Sequence, residues 1–255
     1  LFAPLYRRAM DLSRHPHAPR YLGLLSFVEA FVFPVPPEVM LGSLRRFDRH
    51  NQQLLLADTL DHASRDNQMA VHVAHTALRA ELSQIVRKQE FGDATTEALV
   101  RRALAAYGAA ALLMPYGEFA RAVEARRYDI EALSRQFGAS FEQVAHRLTT
   151  LQRPGETRVP FFFIRVDEAG NVSKRLDGAG FPFAAHGGGC PLWSVHSVFR
   201  QPGELVTQWV ELPDGQRFFS IARTVTAGGG HHGAPRVMRA IALACAAEHA
   251  SELVY

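Results

Sequence analysis

Apolar residues along the chain change their spacing twice, and the changes divide it into three parts. The first part holds an apolar run from Tyr21 to Phe33, interrupted by Glu29 and stopped by Pro34, Pro36 and Pro37. A spanning helix needs about 20 apolar residues, so this run predicts no ordinary transmembrane segment. No small-residue cleavage site follows it, which argues against a cleavable leader. Proline lacks the backbone donor and clashes with the preceding turn, so any helix here ends before Pro34. From Leu44 to Leu151 the spacing becomes helical. Met69, Val73, Ala77, Leu82 and Val86 fall on one predicted face behind a cap at Asp66-Asn67. Asp93 or Thr95 starts a second helix with Leu99, Ala103, Ala106 and Ala110 inside, and Pro115 ends it. A third segment runs from Tyr116 to Tyr128.

The stretch DIEALSRQFGASFEQVAHRLTTL predicts two short helices about a glycine turn. Ile130, Leu133 and Phe137 share a face; Gly138 allows the turn; Ser140 caps a second helix with Phe141, Val144, Ala145 and Leu148 inside. As a DNA-binding helix-turn-helix it would send Glu142, Gln143 and His146 to base edges. The other reading is a helical hairpin that packs internally, and Glu131 and Glu142 favour it because they add negative charge where phosphates would approach.

Beyond Arg153-Pro154-Gly155 the period becomes two. VPFFFIRVDEAGNVSKRL reads as strand, turn, strand, and Val206 to Leu212 with Arg217 to Val225 reads as a second hairpin about Pro213-Asp214-Gly215. Pro191 to Phe199 suits a short helix, and Val237 to Ala247 suits strand or helix. The expected class is α+β: a helical middle followed by an antiparallel-sheet domain of the sensor kind. The expected divisions are 1–42, 43–154 and 155–255.

Composition supports a folded chain: 255 residues, 47% hydrophobic and 21% charged, exclude disorder and fibrous repeats. The net charge of +3 is spread thinly, with nine basic and nine acidic side chains after residue 154. That distribution lacks the positive field of a phosphate-binding surface. Two cysteines, Cys190 and Cys245, make no disulfide scaffold, so a cytoplasmic location is expected.

Candidate chemistry is sparse. His72 and His75 stand three apart, but no HExxH zinc motif occurs in the chain. Cys190 with His186 or His196 could pair nucleophile and base, yet no orienting Asp or Asn accompanies them, and a packed cysteine is the better reading. The His231-His232 pair could bind a metal adventitiously. A pocket between sheet and helices is predicted from Phe161, Phe163, Trp193 and Phe199, with Arg165, Lys174, Arg175 and Arg223 meeting an anionic ligand and His196 beside them.

Two resemblances add to this reading. HPHAPRYLGLLSFVEAFVFPVPPEVML, through Glu29, Pro34, Pro36, Pro37 and Glu38, resembles the N-terminal portion of DedA-family membrane proteins over about 40 residues. The rest of the chain is too charged to continue it, and a membrane partner is not expected. Beyond Leu44, the segments LRRFDRH, ALLMPYGEF, RYDIEALSRQFGASFEQVAHRLTTLQRPG, VPFFFIRVDEAGNVSKR, GGGCPLWSVH and LPDGQRFFSIARTV resemble the short-chain fatty acyl transcriptional regulators of bacteria. That resemblance implies a regulator of acetate, propionate, methylcitrate or glyoxylate metabolism, not an enzyme. It also implies an IrrE/ImmA-like middle without the zinc motif and a C-terminal domain that senses short-chain acyl-CoA. DNA would be bound through a helix-turn-helix domain that family members carry and this chain lacks, and a homo-oligomer is expected. The resemblance further implies a cysteine-rich continuation with an iron–sulfur cluster, of which this chain would contribute Cys190 alone. A membrane-protein fragment or a degenerate metallopeptidase-like domain are the alternatives.

Overall fold

Two long strands carry continuous buried runs, Phe218–Ala222 and Arg239–Cys245, and the layers on either side of them make up the sheet-containing part of the molecule. The computed structural model describes residues 45–89, 91, 93–178, 192–228 and 236–255. The chain begins there with a hairpin, β1 (Arg45–Asp48) and β2 (Gln53–Leu56), whose turn is closed by the Asp48 carboxylate on the amides of His50 and Asn51. Helices α1 (His62–Ala77), α2 (Arg79–Arg87) and α3 (Ala94–Leu113) follow.

Asp61 caps α1 by accepting from the Ser64 amide at 2.7 Å. The predicted cap at Asp66-Asn67 is therefore inside the helix, one turn late. The predicted face is also displaced: Ala70 and Ala74 are buried, while Met69 and Val73 are 41% and 50% exposed. Leu82 and Val86 belong to α2, beyond a break at Leu78. The cause is the partner helix. α3 offers Gly108 and Ala109 to α1, and a Cβ on Gly108 would lie 3.2 Å from Ala74 Cβ. Such close approach selects alanines for the seam and turns larger side chains outward. The Asp93 cap of α3 is present, accepting from Thr96 N at 2.8 Å, and Pro115 follows its end.

Three shorter helices come next: α4 (Tyr116–Ala125), α5 (Ile130–Phe137) and α6 (Phe141–Leu148). Asp129 caps α5, Gly138 takes a left-handed φ of 60°, and Ser140 with Gln143 forms a reciprocal capping box on α6. The hairpin legible in the sequence is thus present, and its apolar faces point into the main core.

The sheet has five strands in the order β4-β3-β7-β6-β5, all antiparallel. β3 (Phe162–Asp167) and β4 (Val172–Asp177) form the first predicted hairpin; β5 (Val206–Glu211) and β6 (Arg217–Gly228) form the second. The ambiguous segment is β7 (Arg236–Ala246), inserted between them. Helices α4–α6 cover one face through Phe161, Phe163, Ile221, Ile241 and Leu243, which share one core with Phe119, Leu133 and Leu148. The opposite face buries Phe162, Ile164, Ala222 and Ala242 under Trp193, Val195 and Val198, carried by the short helix α7 (Ser194–Ser197) and the turn after it. One hydrophobic core thus combines side chains from before and after Pro154 and Gly155, which are themselves exposed. Among the described residues no single helix is long and apolar enough to cross a membrane.

A cationic row under a helical hairpin

Strand register decides which of the predicted site residues meet. Successive side chains on a strand point to opposite faces, so Phe161, Phe163 and Arg165 share the helix-covered face, while Phe162 and Ile164 turn away. Lys174 pairs with Arg165, Arg165 with Ile241, and Ile241 with Arg223. Three of the four predicted cations thus stand in one row across the sheet, under the α5–α6 hairpin. With strands spaced about 4.8 Å apart, the backbones at Arg165 and Arg223 are about 10 Å from each other. Arg239 occupies the next row on the same face, between Asp167 and Val225.

The hairpin answers this row with two carboxylates. Arg165 Nη1 donates to Glu142 Oε1 at 2.7 Å, and its Nε donates to Ser173 Oγ at 2.9 Å. Arg223 Nη1 donates to Glu131 Oε1 at 2.5 Å, with its guanidinium 5.3 Å from the Phe141 ring centre. The two pairs differ in exposure: the Glu142 side chain is 24% exposed and that of Glu131 is 47%. Lys174 Nζ lies 5.9 Å above the Phe163 ring. Burial, reinforced by the Arg165 charge and opposed by Glu142, pushes the Lys174 ammonium down to about 8. His146, on the same side of α6, packs edge-on against Phe163 at 6.0 Å. Burial first, then the charges of Lys174, Arg165 and Arg147, hold its imidazole well below 6.5.

Beside Arg223 the surface opens into a groove of about 570 Å³ between α5 and the end of β6. Arg135 and Phe141 line it from the helices, and Gly203, Thr224 and Thr226 from the sheet side. Ser134 Oγ is buried in its wall without a hydrogen-bond partner among the described residues.

The predicted pocket needs correction. Phe161 and Phe163 are fully buried, packed by Tyr128 at 5.6 Å and by His146, so they fill the core instead of lining a hollow. Trp193 lies on the opposite face. Its ring is 5.7 Å from Phe162, and its Nε1 donates to Ser220 Oγ at 2.8 Å. Phe199 joins that second cluster, so the four aromatics are split by the sheet itself. Arg175 pairs with Ile164 and so stands on the Trp193 side. His196 is there too, its Nδ1 3.9 Å from where a Cβ on Gly170 would sit. Sequence order could not reveal this, because the sheet separates segments that follow one another along the chain.

Of the two readings of 129–148, the structure has the internal hairpin. Glu142 is engaged by Arg165, His146 is partly buried against Phe163, and Gln143 closes the capping box while its Nε2 donates to Ala63 O at 3.2 Å. None of the three is available to base edges. Glu131, Arg135 and Ser134 were missed as site residues, since helical spacing shows a solvent face without showing what lies opposite.

Cys190, His186 and His231-His232 lie outside the described residues. Among the described residues no group of three or more His, Cys, Asp or Glu side chains could hold a metal. His72 instead stacks on Phe47 at 4.8 Å. Cys245 is buried in the main core, and burial, with the Glu252 charge, pushes its thiol up to about 12. A cluster needs thiolates, usually four. Cys245 does not fit that role.

Two families of known sequence account for this arrangement. Residues 150–255 match the C-terminal domain of short-chain fatty acyl coenzyme A regulators, and residues 29–149 match the IrrE N-terminal-like domain. The chain belongs to the short-chain fatty acyl coenzyme A regulator family. It is 42% identical over 211 residues to the HTH-type transcriptional regulator PrpR of Mycobacterium tuberculosis, covering 83% of this chain and 43% of that protein. It is 48% identical over 165 residues to the propionyl-CoA carboxylase regulator of Cereibacter sphaeroides, covering 65% of this chain and 36% of that protein. A solved Mycobacterium tuberculosis transcriptional regulator superposes with a TM-score of 0.79 at 40% identity, covering 88% of this chain and 67% of that one. The chain spans less than half the length of these curated relatives. The IrrE-like match begins at residue 29, inside the segment that resembles a DedA protein, and that resemblance finds no support in these comparisons.

Proposed function

We propose that this chain is the effector-sensing portion of a cytoplasmic bacterial transcriptional regulator of short-chain fatty acid metabolism, and that its effector is a short-chain acyl-CoA. The observation that carries this reading is the cross-sheet row of Lys174, Arg165 and Arg223 at the seam between sheet and hairpin. Cations aligned on one face, with a groove of about 570 Å³ at one end, suit the phosphates of a coenzyme. Arg is well matched to such groups because its planar donors engage phosphate oxygens in pairs. The thioester end would lie toward the apolar wall near Phe141. DNA would be contacted by another part of the regulator, since the α5–α6 hairpin is committed to the core.

The reading is that of a sensor, not an enzyme, in keeping with relatives named as regulators. Calorimetry with propionyl-CoA and acetyl-CoA tests it. Saturable heat from the wild-type chain is expected, with affinity reduced at least about tenfold in R223A, because hydrogen bonds to a charged group contribute roughly 1.5–3 kcal/mol. A folded wild-type sample that gives no heat at millimolar acyl-CoA would remove the assignment.

A further inference from the structure

Glu131 occupies the end of the cationic row that opens into the groove. Its carboxylate meets Arg223 at 2.5 Å, yet its side chain is 47% exposed, so solvent and solutes reach the pair. Glu131 and Arg135 stand one turn apart on α5, and both line the groove with Arg223. Ser134 Oγ, between them in sequence, is buried in the groove wall and has no partner among the described residues. A polar atom left in that state calls for a ligand group or a water to satisfy it. The other pair, Arg165 with Glu142, is more enclosed and is braced by Ser173.

We propose that Arg223, Arg135 and Ser134 form a subsite for a phosphoryl group and that the Glu131 carboxylate is its built-in competitor, holding the place that the phosphoryl group takes. The proposal rests on the effector reading above and adds its regulation. A carboxylate and a phosphate offer the same kind of oxygen acceptors to a guanidinium, so one replaces the other without new geometry at Arg223. Binding then frees Glu131 and loosens the start of α5, while the enclosed Glu142 pair keeps α6 in place as a pivot. The start of α5 is where residues 251–255 dock: the Ile130 amide donates to Tyr255 Oη at 2.8 Å, and Arg127 Nη2 donates to the carbonyls of Ser251 and Leu253, each at 2.9 Å. Occupancy of the subsite is thereby sensed at residues 251–255.

The test compares wild type with Glu131→Gln and Glu131→Ala, each checked for folding by thermal melt. The probes are propionyl-CoA, inorganic pyrophosphate and propionyl-pantetheine, which lacks phosphates. Removing the carboxylate is expected to tighten propionyl-CoA and pyrophosphate by about three- to tenfold, in line with a partly exposed ion pair, and to leave propionyl-pantetheine unchanged. Amides of 251–255 should exchange faster in both variants without any ligand. If wild type binds propionyl-CoA and neither variant tightens it, the competitor role of Glu131 is wrong while the effector reading stands. If propionyl-CoA binds to none of the proteins but pyrophosphate tightens in the variants, the effector reading fails and the anion subsite survives. Variants that bind pyrophosphate no better than wild type, and propionyl-CoA not at all, overturn both.

Discussion

Arg147 closes the end of another helix: its Nε donates to the carbonyl of Met114 at 3.1 Å, one residue past α3. The side chain comes from α6 and is 1% exposed. Its Nη1 donates to Thr150 Oγ1 at 3.0 Å, and the rings of Tyr107 and Tyr116 flank the guanidinium at 5.7 and 6.0 Å. A cation at a helix C-terminus also opposes the negative end of the helix dipole. α3 and α6 are thus joined through one buried charge.

Replacing Arg147 by Met keeps the volume and removes the donors, leaving the Met114 carbonyl without its partner. The expected loss is about 1–3 kcal/mol, because that is the cost of an unsatisfied buried polar group. Urea melts of R147M against wild type measure it. An unchanged midpoint would mean that water satisfies the carbonyl equally well.

His146 gives the acid side of the stability profile a definite sign. Its folded imidazole is held neutral well below 6.5 by burial and by Lys174, Arg165 and Arg147. The unfolded chain takes up a proton below 6.5 and the folded chain does not, so stability falls as pH drops through that value. H146Q removes this proton difference. Its unfolding free energy should be flatter between pH 7 and 5 than that of wild type, as read by denaturant melts at each pH.

On the alkaline side Lys174 opposes Cys245 and Tyr255. Lys174, pushed down to about 8 from 10.5, loses its proton in the fold before it does in the unfolded chain, so it makes stability rise with pH across that window. Cys245 and Tyr255 are pushed up to about 12 from 9.0 and 10.0, so they keep their protons in the fold and lower stability above pH 9. K174M removes the rising contribution alone. Between pH 8 and 10.5 it should lose stability with pH more steeply than wild type. The same burial predicts that Cys245, tested in a C190S background, reacts with a thiol reagent at pH 8 only when the fold opens.

Gly178 marks a tight junction after β4. A Cβ there would lie 2.7 Å from the Phe161 carbonyl oxygen and 3.2 Å from that of Thr149. Both neighbours are backbone, which cannot swing aside. G178A is expected to lower stability by about 1–3 kcal/mol, as overpacking does, whereas G117A, with nothing within 4 Å of its Cβ, should be neutral or slightly stabilising. Paired thermal melts distinguish the two.

Local chemistry was legible in the sequence where the signal was local. Asp93, Gly138 and Ser140 with Gln143 perform the capping and turning that their residue types suit, and both hairpins stand where alternation places them. β7 was not legible as a strand because residues 239–245 are buried on both faces, which erases the alternation that identifies an ordinary half-buried strand. The face of α1 was misjudged because an alanine seam against Gly108 outweighs the ordinary preference for burying Met and Val. At the site, the cations Arg165, Lys174 and Arg223 could be chosen by charge. Their common row, and the separation of Trp193 from Phe163, depend on β7 entering between the hairpins, which is a long-range event.

The parity of β3 has a consequence for how such chains can vary. Phe161, Phe162 and Phe163 are alike chemically but serve opposite layers, so inserting or deleting one residue within the strand would exchange interior and exterior partners for everything beyond it. Arg165 would then turn toward the indole side and abandon Glu142. Length changes are tolerable where the ladder has already ended, at the Asp167–Asn171 bend that joins β3 to β4. A longer bend there would give up the Asp167–Asn171 bonds but keep each strand's parity, whereas within the strand residues must be counted through the phenylalanines.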